Sequence, residues 1–397
     1  MAGSAMTQIS AITSMNLRNV SQRVTSTVVA LVGIAGVVMV LIGVLSISAG
    51  FRAVLTLSGA RDVAIVLRSG ATDEMGSGLT QEQTRIIADN KDIARDAQGA
   101  ITSPELYVIV DVPLKRTATA ANVPLRGVGP QAPNLRQHFR IVEGRNFTPG
   151  KFEIIAGRGA SEQFEGLTVG NKLRWGTTDW TVVGIFEDQG SVAESEVWTD
   201  VTVLQGAYNR GTTYQSVRAK LTSPEAFRSF KDALTVDPRL NVRMYTERDY
   251  YEEKSRLLIA LVSTIGAVIA LLMGLGAVFA ALNTMYSAVS TRTREIATLR
   301  ALGFSSTPVV VSVLTEALLI ALAGGVIGAL ISYFAFNGVR ASTMNFATFS
   351  QVTFAFTVTP SILVLGVVYA LILGLVGGLF PSVRAANLPI TTGLREL

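Results

Sequence analysis

Between Leu257 and Val339 the only charged residues are Arg292, Arg294, Glu295, Arg300 and Glu316. The first four lie within nine positions, flanked by long apolar runs, so this piece must leave the membrane briefly and re-enter it. Arginines and a glutamate on a short helix do not make or break bonds by themselves. They offer shape and charge to a partner, which makes Arg292, Arg294, Glu295, Ile296, Leu299, Arg300, Ala301, Leu302 and Gly303 a candidate docking peg. The competing reading is that the arginines serve only as topology-setting charges. Glu316 stands just inside the following apolar run, where a carboxylate costs roughly 2.5–3.5 kcal/mol at a helix centre. It is expected either to bond to the charged helix before it or to snorkel to the interface.

Other residues that could carry chemistry are weaker candidates. Residues 144–151, GRNFTPGK, mimic a phosphate loop, but five residues separate the glycines and Phe152 replaces the magnesium-binding hydroxyl. His138 is the single histidine, with Arg136 and Arg140 beside it, so a multi-imidazole metal site is excluded and a Ser-His-Asp triad would have to use it. Surface placement is expected for it. Cysteine is absent, removing disulfides and thiol nucleophiles. Glu252 and Glu253 read as a solvated helix face. The net charge of +5 shows no basic stripe interleaved with aromatics, so nucleic acid is not an expected partner. An enzyme is not expected, and neither is a metal site or a cofactor on this chain.

The elements that position the peg follow from hydropathy. Only 16% of the 397 residues are charged and the mean hydropathy is +0.42. Apolar stretches long enough to span a bilayer lie at 26–48, 257–281, 309–334 and 360–380. The first is too long for a signal-peptide core of about 7–15 residues and is expected to be retained. Arg18, Arg23, Arg292, Arg294, Arg300, Arg384 and Arg395 fall on one side of the spans and only Arg340 in the short opposite loop. The positive-inside bias therefore places both termini and 282–308 in the cytoplasm, and 49–256 outside. The expected organisation is a cytoplasmic amphipathic segment 1–25, the first span, the external domain, the second span, the coupling segment 282–308, the third span, a short outer loop 335–359, the fourth span and a cytoplasmic tail 381–397.

The external domain reads as an α/β lobe, 52–115 and 211–249, split by a β-rich insert, 116–210. Strand patterns occupy 62–68, 105–112, 214–221 and 241–245, with helices from Thr80, whose Gln83 has capping-box spacing, and from Ser223-Pro224. A hairpin is expected at 172–186. From Tyr245 the sequence YTERDYYEEKSRLL lacks glycine and proline, so the second span is expected either to continue upward as a stalk, with Tyr250 and Tyr251 near the membrane interface, or to be no more than a solvated helix end. Gly324 and Gly328, and Gly374 and Gly378, are spaced for close helix packing, within the chain or with a second copy.

With four spans, a large domain after the first and RTREIATLRALGFS at 292–305, the chain resembles the FtsX-like permeases of ABC systems, which include MacB and the LolC and LolE lipoprotein extractors. MNLRNV at 15–20 and PSVRAANLPITTGLREL at 381–397 resemble the family's ends, whereas Ala297 and Phe304 depart from its usual small residues. The resemblance implies a porter-like external lobe and a permease subunit of an inner-membrane ABC transporter. It further implies a separate ATPase subunit holding ATP and magnesium, and a second permease copy as homodimer or paralogous heterodimer. An adaptor outside and contact with membrane lipid are implied too. Arg294, Glu295 and Arg300 would set the docking contacts, with Ile296 and Leu299 seating the helix against the ATPase or the membrane face. The implied action is export or extraction of a lipid, lipoprotein, peptide or drug. The alternative is a mechanotransmitter that moves nothing and activates a cell-wall hydrolase.

Overall fold

The computed structural model describes residues 24–136, 138–302, 305–344 and 351–387. The amphipathic segment before residue 24, Gly303, Phe304, and the tail from 388 onward lie outside the described residues. The chain divides into two compact units, one containing the apolar helices and the other comprising Phe51–Leu258 and Arg340–Ala355.

Among the described residues, four helices are long and apolar enough to cross a membrane, over Thr27–Val54, Ile259–Ser287, Ser306–Phe336 and Pro360–Ala386. They belong to α1 (Val24–Ser58), α6 (Glu247–Ser290), α8 (Ser306–Phe336) and α9 (Pro360–Ala386), with the short α7 (Thr293–Ala301) between the second and third. Glycines set how closely they approach. A Cβ on Gly324 would stand 3.0 Å from the Leu31 carbonyl oxygen of α1, and one on Gly374 would stand 2.4 Å from the Ala321 Cβ of α8. Gly328 likewise faces Ala35, and Gly378 faces Ala317. Both small-residue faces therefore pack against neighbouring helices of the same chain. The Tyr369 hydroxyl adds a polar tie by donating to the Ala270 carbonyl at 2.8 Å.

The second unit is an α/β lobe on one ten-stranded mixed sheet. Its strands are β1 (Val63–Arg68), β4 (Thr102–Pro113), β5 (Ala120–Val128), β6 (Arg140–Gly144), β7 (Glu153–Gly157), β8 (Lys172–Trp175), β9 (Thr178–Glu187), β10 (Val197–Asp200), β11 (Ser216–Lys220) and β12 (Val242–Thr246). A two-residue pair, β2 (Arg95–Asp96) and β3 (Gly99–Ala100), stands apart. The spatial order is β12-β1-β11-β4-β5-β10-β7-β9-β6, with β8 hairpinned onto β9. The β-rich insert is not a separate sheet, because β4 is long enough to serve both parts. Its residues 102–105 pair with β11, and its residues 106–113 pair with β5.

Helices α2 (Gln81–Ala88), α3 (Arg158–Gln163), α4 (Val201–Ala207) and α5 (Phe227–Val236) complete the lobe. Thr80 and Gln83 form the reciprocal capping box that their spacing predicts. Ser223 does not cap α5: the chain takes one 3-10 turn over Pro224–Ala226 first, and the Ser223 side chain makes no cap bond to it. Between α8 and α9, β13 (Arg340–Met344) pairs antiparallel with β14 (Gln351–Ala355), and both strands group with the lobe.

Period-two alternation gives the sheet two different faces. Leu106, Val108, Leu125, Val197, Val217 and Ala219 point into the main hydrophobic core, which also holds Phe164, Trp180 and Phe230. Their strand neighbours Glu105, Tyr107, Arg126, Trp198, Ser216 and Arg218 occupy the other face and are also buried. That face is covered at one end by the start of α6. Tyr250 packs on Ile65 and Leu67 of β1. The expected placement of Tyr250 at a membrane interface is therefore incorrect: its ring is drawn into the lobe because β1 offers an apolar surface one turn into the helix.

Candidate functional site

Two polar sites stand out, one in each unit. In the helical unit, α6 ends at Ser290 and α7 starts after a two-residue turn, which places Arg292 beneath α8. There the Arg292 Nη1 donates to Glu316 Oε2 at 3.0 Å, with both side chains almost fully buried. Glu316 is thus tied to the segment that leads into the short charged helix and does not snorkel. Among the described residues, the Arg292 Nε and Nη2 have no hydrogen-bond partner. At the other end of α7, Arg300 Nη1 donates to the Ala386 carbonyl of α9 at 2.7 Å. Between them Ile296 is buried with Met285, Val289, Val309, Val313, Ala317 and Ala385. Ala297 is buried beside it, so the extra methyl that replaces the family's usual glycine is accommodated inside the bundle.

The sequence-predicted peg therefore divides by direction. Arg292, Ile296 and Ala297 face inward and Arg300 reaches to α9, so Arg292 and Ile296 are not surfaces for a partner. Arg294, Glu295, Ala301 and Leu302 are exposed, Leu302 at 73%. The side chain of Leu299 and the whole of Gly303 lie outside the described residues.

The second site was not anticipated from sequence. On the charged face of the lobe sheet, Arg126 of β5 donates from Nε and Nη2 to Glu196, each at 2.8 Å, and from Nη1 and Nη2 to Glu74 at 2.9 and 3.0 Å. Its Nη1 also reaches Glu105 Oε2 of β4 at 2.8 Å. All five guanidinium N–H donors are thereby used. Arg218 of β11 donates to Glu74 at 3.1 Å, to Glu105, and through Nε to Glu247 at 3.2 Å. Arg136 also donates to Glu247 and lies 5.8 Å over the Trp198 ring. Three guanidiniums thus interlock with four carboxylates, Glu74, Glu105, Glu196 and Glu247.

Neutral partners complete the cluster. The Ser216 hydroxyl donates to Glu74 at 2.8 Å, and the Trp198 indole donates to Glu196 at 2.9 Å. Burial alone would push the Glu74 carboxyl up, but Arg126 and Arg218 outweigh it and hold the group well below the usual carboxylate range. Tyr251, half-buried, accepts from Arg218 Nη2 at 3.2 Å, and desolvation of its hydroxyl pushes it up to about 12. The remaining sequence candidates are unremarkable in place. His138 is exposed. The glycine-rich stretch at 144–151 is a turn closed by Arg145, whose Nη1 and Nη2 meet Glu153 at 2.7 and 2.8 Å.

A model of the MacB-like periplasmic core domain matches residues 27–236, more than half the chain, and a model of the FtsX-like permease C-terminal region matches 259–390. The chain belongs to the FtsX-like, MacB-type permease family. Among curated relatives of this permease, the macrolide export ATP-binding/permease protein MacB of Bordetella avium is 24% identical over 92% of this chain and 56% of its own length. MacB of Hahella chejuensis is 27% identical over 76% of this chain and 48% of its own. The permease spans about half the length of the curated relatives it matches. Among solved structures, the periplasmic region of MacB from Actinobacillus actinomycetemcomitans is similar at 11% identity and a TM-score of 0.37, over 49% of this chain and 94% of that one. In the permease, α1 from residue 27 and the lobe as far as α5 fall in the first match, and α7 with Glu316 falls in the second.

Proposed function

We propose that this chain is the membrane subunit of an ABC transporter of the inner membrane, with both termini and α7 in the cytoplasm and the lobe in the periplasm. ATP and magnesium are held by a separate ATPase subunit, whose closure pushes α7. Movement passes along α6 to the lobe, and the outcome is export or extraction of a lipid, lipoprotein, peptide or drug. Two permease copies work together, with a periplasmic adaptor as a further partner.

The observation that carries this reading is the construction of α7. Its Arg292 end is rooted by a buried ion pair to α8 and its Arg300 end by a bond to α9, while Arg294, Glu295, Ala301 and Leu302 are left outward. A helix fixed at both ends transfers a push to the bundle instead of swinging away, and its outward charges supply recognition. The test is recovery of the tagged, full-length chain from its native membranes in mild detergent, with mass spectrometry of what accompanies it. A nucleotide-binding subunit should be recovered with the wild type and be at least about tenfold depleted by Glu295→Lys, a reversal worth roughly 1.4 kcal/mol or more. Recovery of that subunit undiminished by the substitution, or its absence from the wild type, would refute the assignment.

A further inference from the structure

The buried charge cluster of the lobe contains a division of labour. Glu74, Glu105 and Glu196, the three carboxylates on Arg126, all come from the sheet and its loops. Glu247 alone among the four comes from α6, as its first residue. That one carboxylate gathers three other parts of the chain. Its Oε1 accepts from Arg218 of β11 at 3.2 Å and from Arg136, and its Oε2 accepts from the Ala60 backbone N–H at 3.3 Å, two residues beyond α1. Immediately beside it, the chain after α1 and the start of α6 meet at backbone distance: a Cβ on Gly59 would stand 2.6 Å from Arg248 Cα.

We infer that Glu247, clasped by Arg136 and Arg218, is the joint through which displacement of α6 is passed into the lobe sheet. The inference rests on the proposed function for the origin of that displacement, but the joint itself is a property of the lobe. Helix α6 runs 44 residues, about 66 Å at 1.5 Å per residue, and its first turns belong to the lobe. There the helix grips the sheet through charge-assisted bonds in a buried site, which are stronger and more directional than apolar contact. Arg136 pairs with the Glu247 carboxylate, whereas Arg126 is fully occupied within the lobe. Movement of Glu247 therefore pulls on Arg136 and Arg218 while the Arg126 core keeps the sheet intact. Glu247 and Arg136 are positioning residues and touch no cargo.

Because the chain has no cysteine, two can be introduced cleanly at exposed Lys231 and Glu253 and spin-labelled in the full-length chain in lipid nanodiscs. The expected wild-type result is one narrow distance distribution. Glu247→Gln and Arg136→Met should each broaden it and speed amide exchange at 247–255 by about tenfold or more, and the double variant should be no worse than either single. Arg140→Met, at an exposed pair with Glu187, should leave both measurements unchanged. Wild-type distances and exchange in both single variants would overturn the inference, and so would fully additive effects. If Glu247→Gln unfolds the lobe, Glu247→Asp supplies the same comparison by withdrawing the charge one methylene. Adding the ATPase subunit and ATP separates the two proposals. A wild type that fails to respond refutes the transport reading and leaves the resting-state comparison to decide on the joint. A Glu247→Gln response equal to wild type refutes the joint alone.

Discussion

Neutralising Glu316 should loosen α7 from the bundle, and the structure sets the size of the effect. Arg292 and Glu316 side chains are 6% and 8% exposed and meet at 3.0 Å. In Glu316→Gln the guanidinium stays buried with its counter-charge gone, and its Nε and Nη2 already have no partner among the described residues. Breaking one side of a buried pair costs about 3–5 kcal/mol, so Glu316→Gln and Arg292→Met should each lower bundle stability by roughly 3 kcal/mol. Combining Glu316→Gln with Arg292→Met removes both buried charges at once and should cost less than either single change, giving a coupling larger than about 3 kcal/mol in the double-mutant cycle. The assay is equilibrium unfolding of the full-length chain in detergent, read by helical circular dichroism, with amide exchange over 285–301 locating the change. Single variants within about 0.5 kcal/mol of wild type, or costs that simply add, would refute the claim that this pair holds the helix.

Two further outcomes follow from packing and titration. Gly374→Val forces a side chain where the Ala321 Cβ is 2.4 Å from the site of the first added atom. It should destabilise the bundle by about 1–3 kcal/mol in the same unfolding assay, whereas Gly276→Val, with open space around it, should be neutral. The three tryptophans, Trp175, Trp180 and Trp198, all lie in the lobe, so their fluorescence reports lobe unfolding alone. Glu74 has a folded-state pKa held below its unfolded value near about 4.3, so the unfolded chain binds the proton first. Its stabilisation should be complete above about pH 5 and drain away as pH falls through and below the ordinary carboxylate range. The urea midpoint should therefore fall between pH 6 and pH 3.5; a flat or rising midpoint contradicts the role given to Arg126 and Arg218.

Much of the helical unit was legible in the residue string, and most of the lobe's polar site was not. A span announces itself by length and hydropathy, and an isolated Glu316 in such a span demands a partner, so the segment containing Arg292 was an available answer. Which arginines of that segment turn inward depends on the path of α7 between α8 and α9, which one-dimensional spacing does not carry. Arg218 lies between Val217 and Ala219, and alternation reads it as a solvent-facing residue on a half-buried strand. It is buried because α6 covers the second face of the sheet. Its partners Glu74, Glu105 and Glu247 are scattered along the chain, each resembling an ordinary surface charge. The insert likewise looked separable, since only the pairing of both ends of β4 shows that one sheet includes it.

The saturated guanidinium of Arg126 constrains the routes by which this family member can change. A lysine there would bring three donors from a single point, leaving two acceptor positions on Glu74, Glu105 or Glu196 without their bonds. No single substitution at Arg126 repairs that loss, and exchanging one carboxylate alone leaves the arginine under-bonded. The cluster therefore works as a block. Its members can be replaced together by an apolar set, or kept together, while the exposed residues of the same strands drift one at a time.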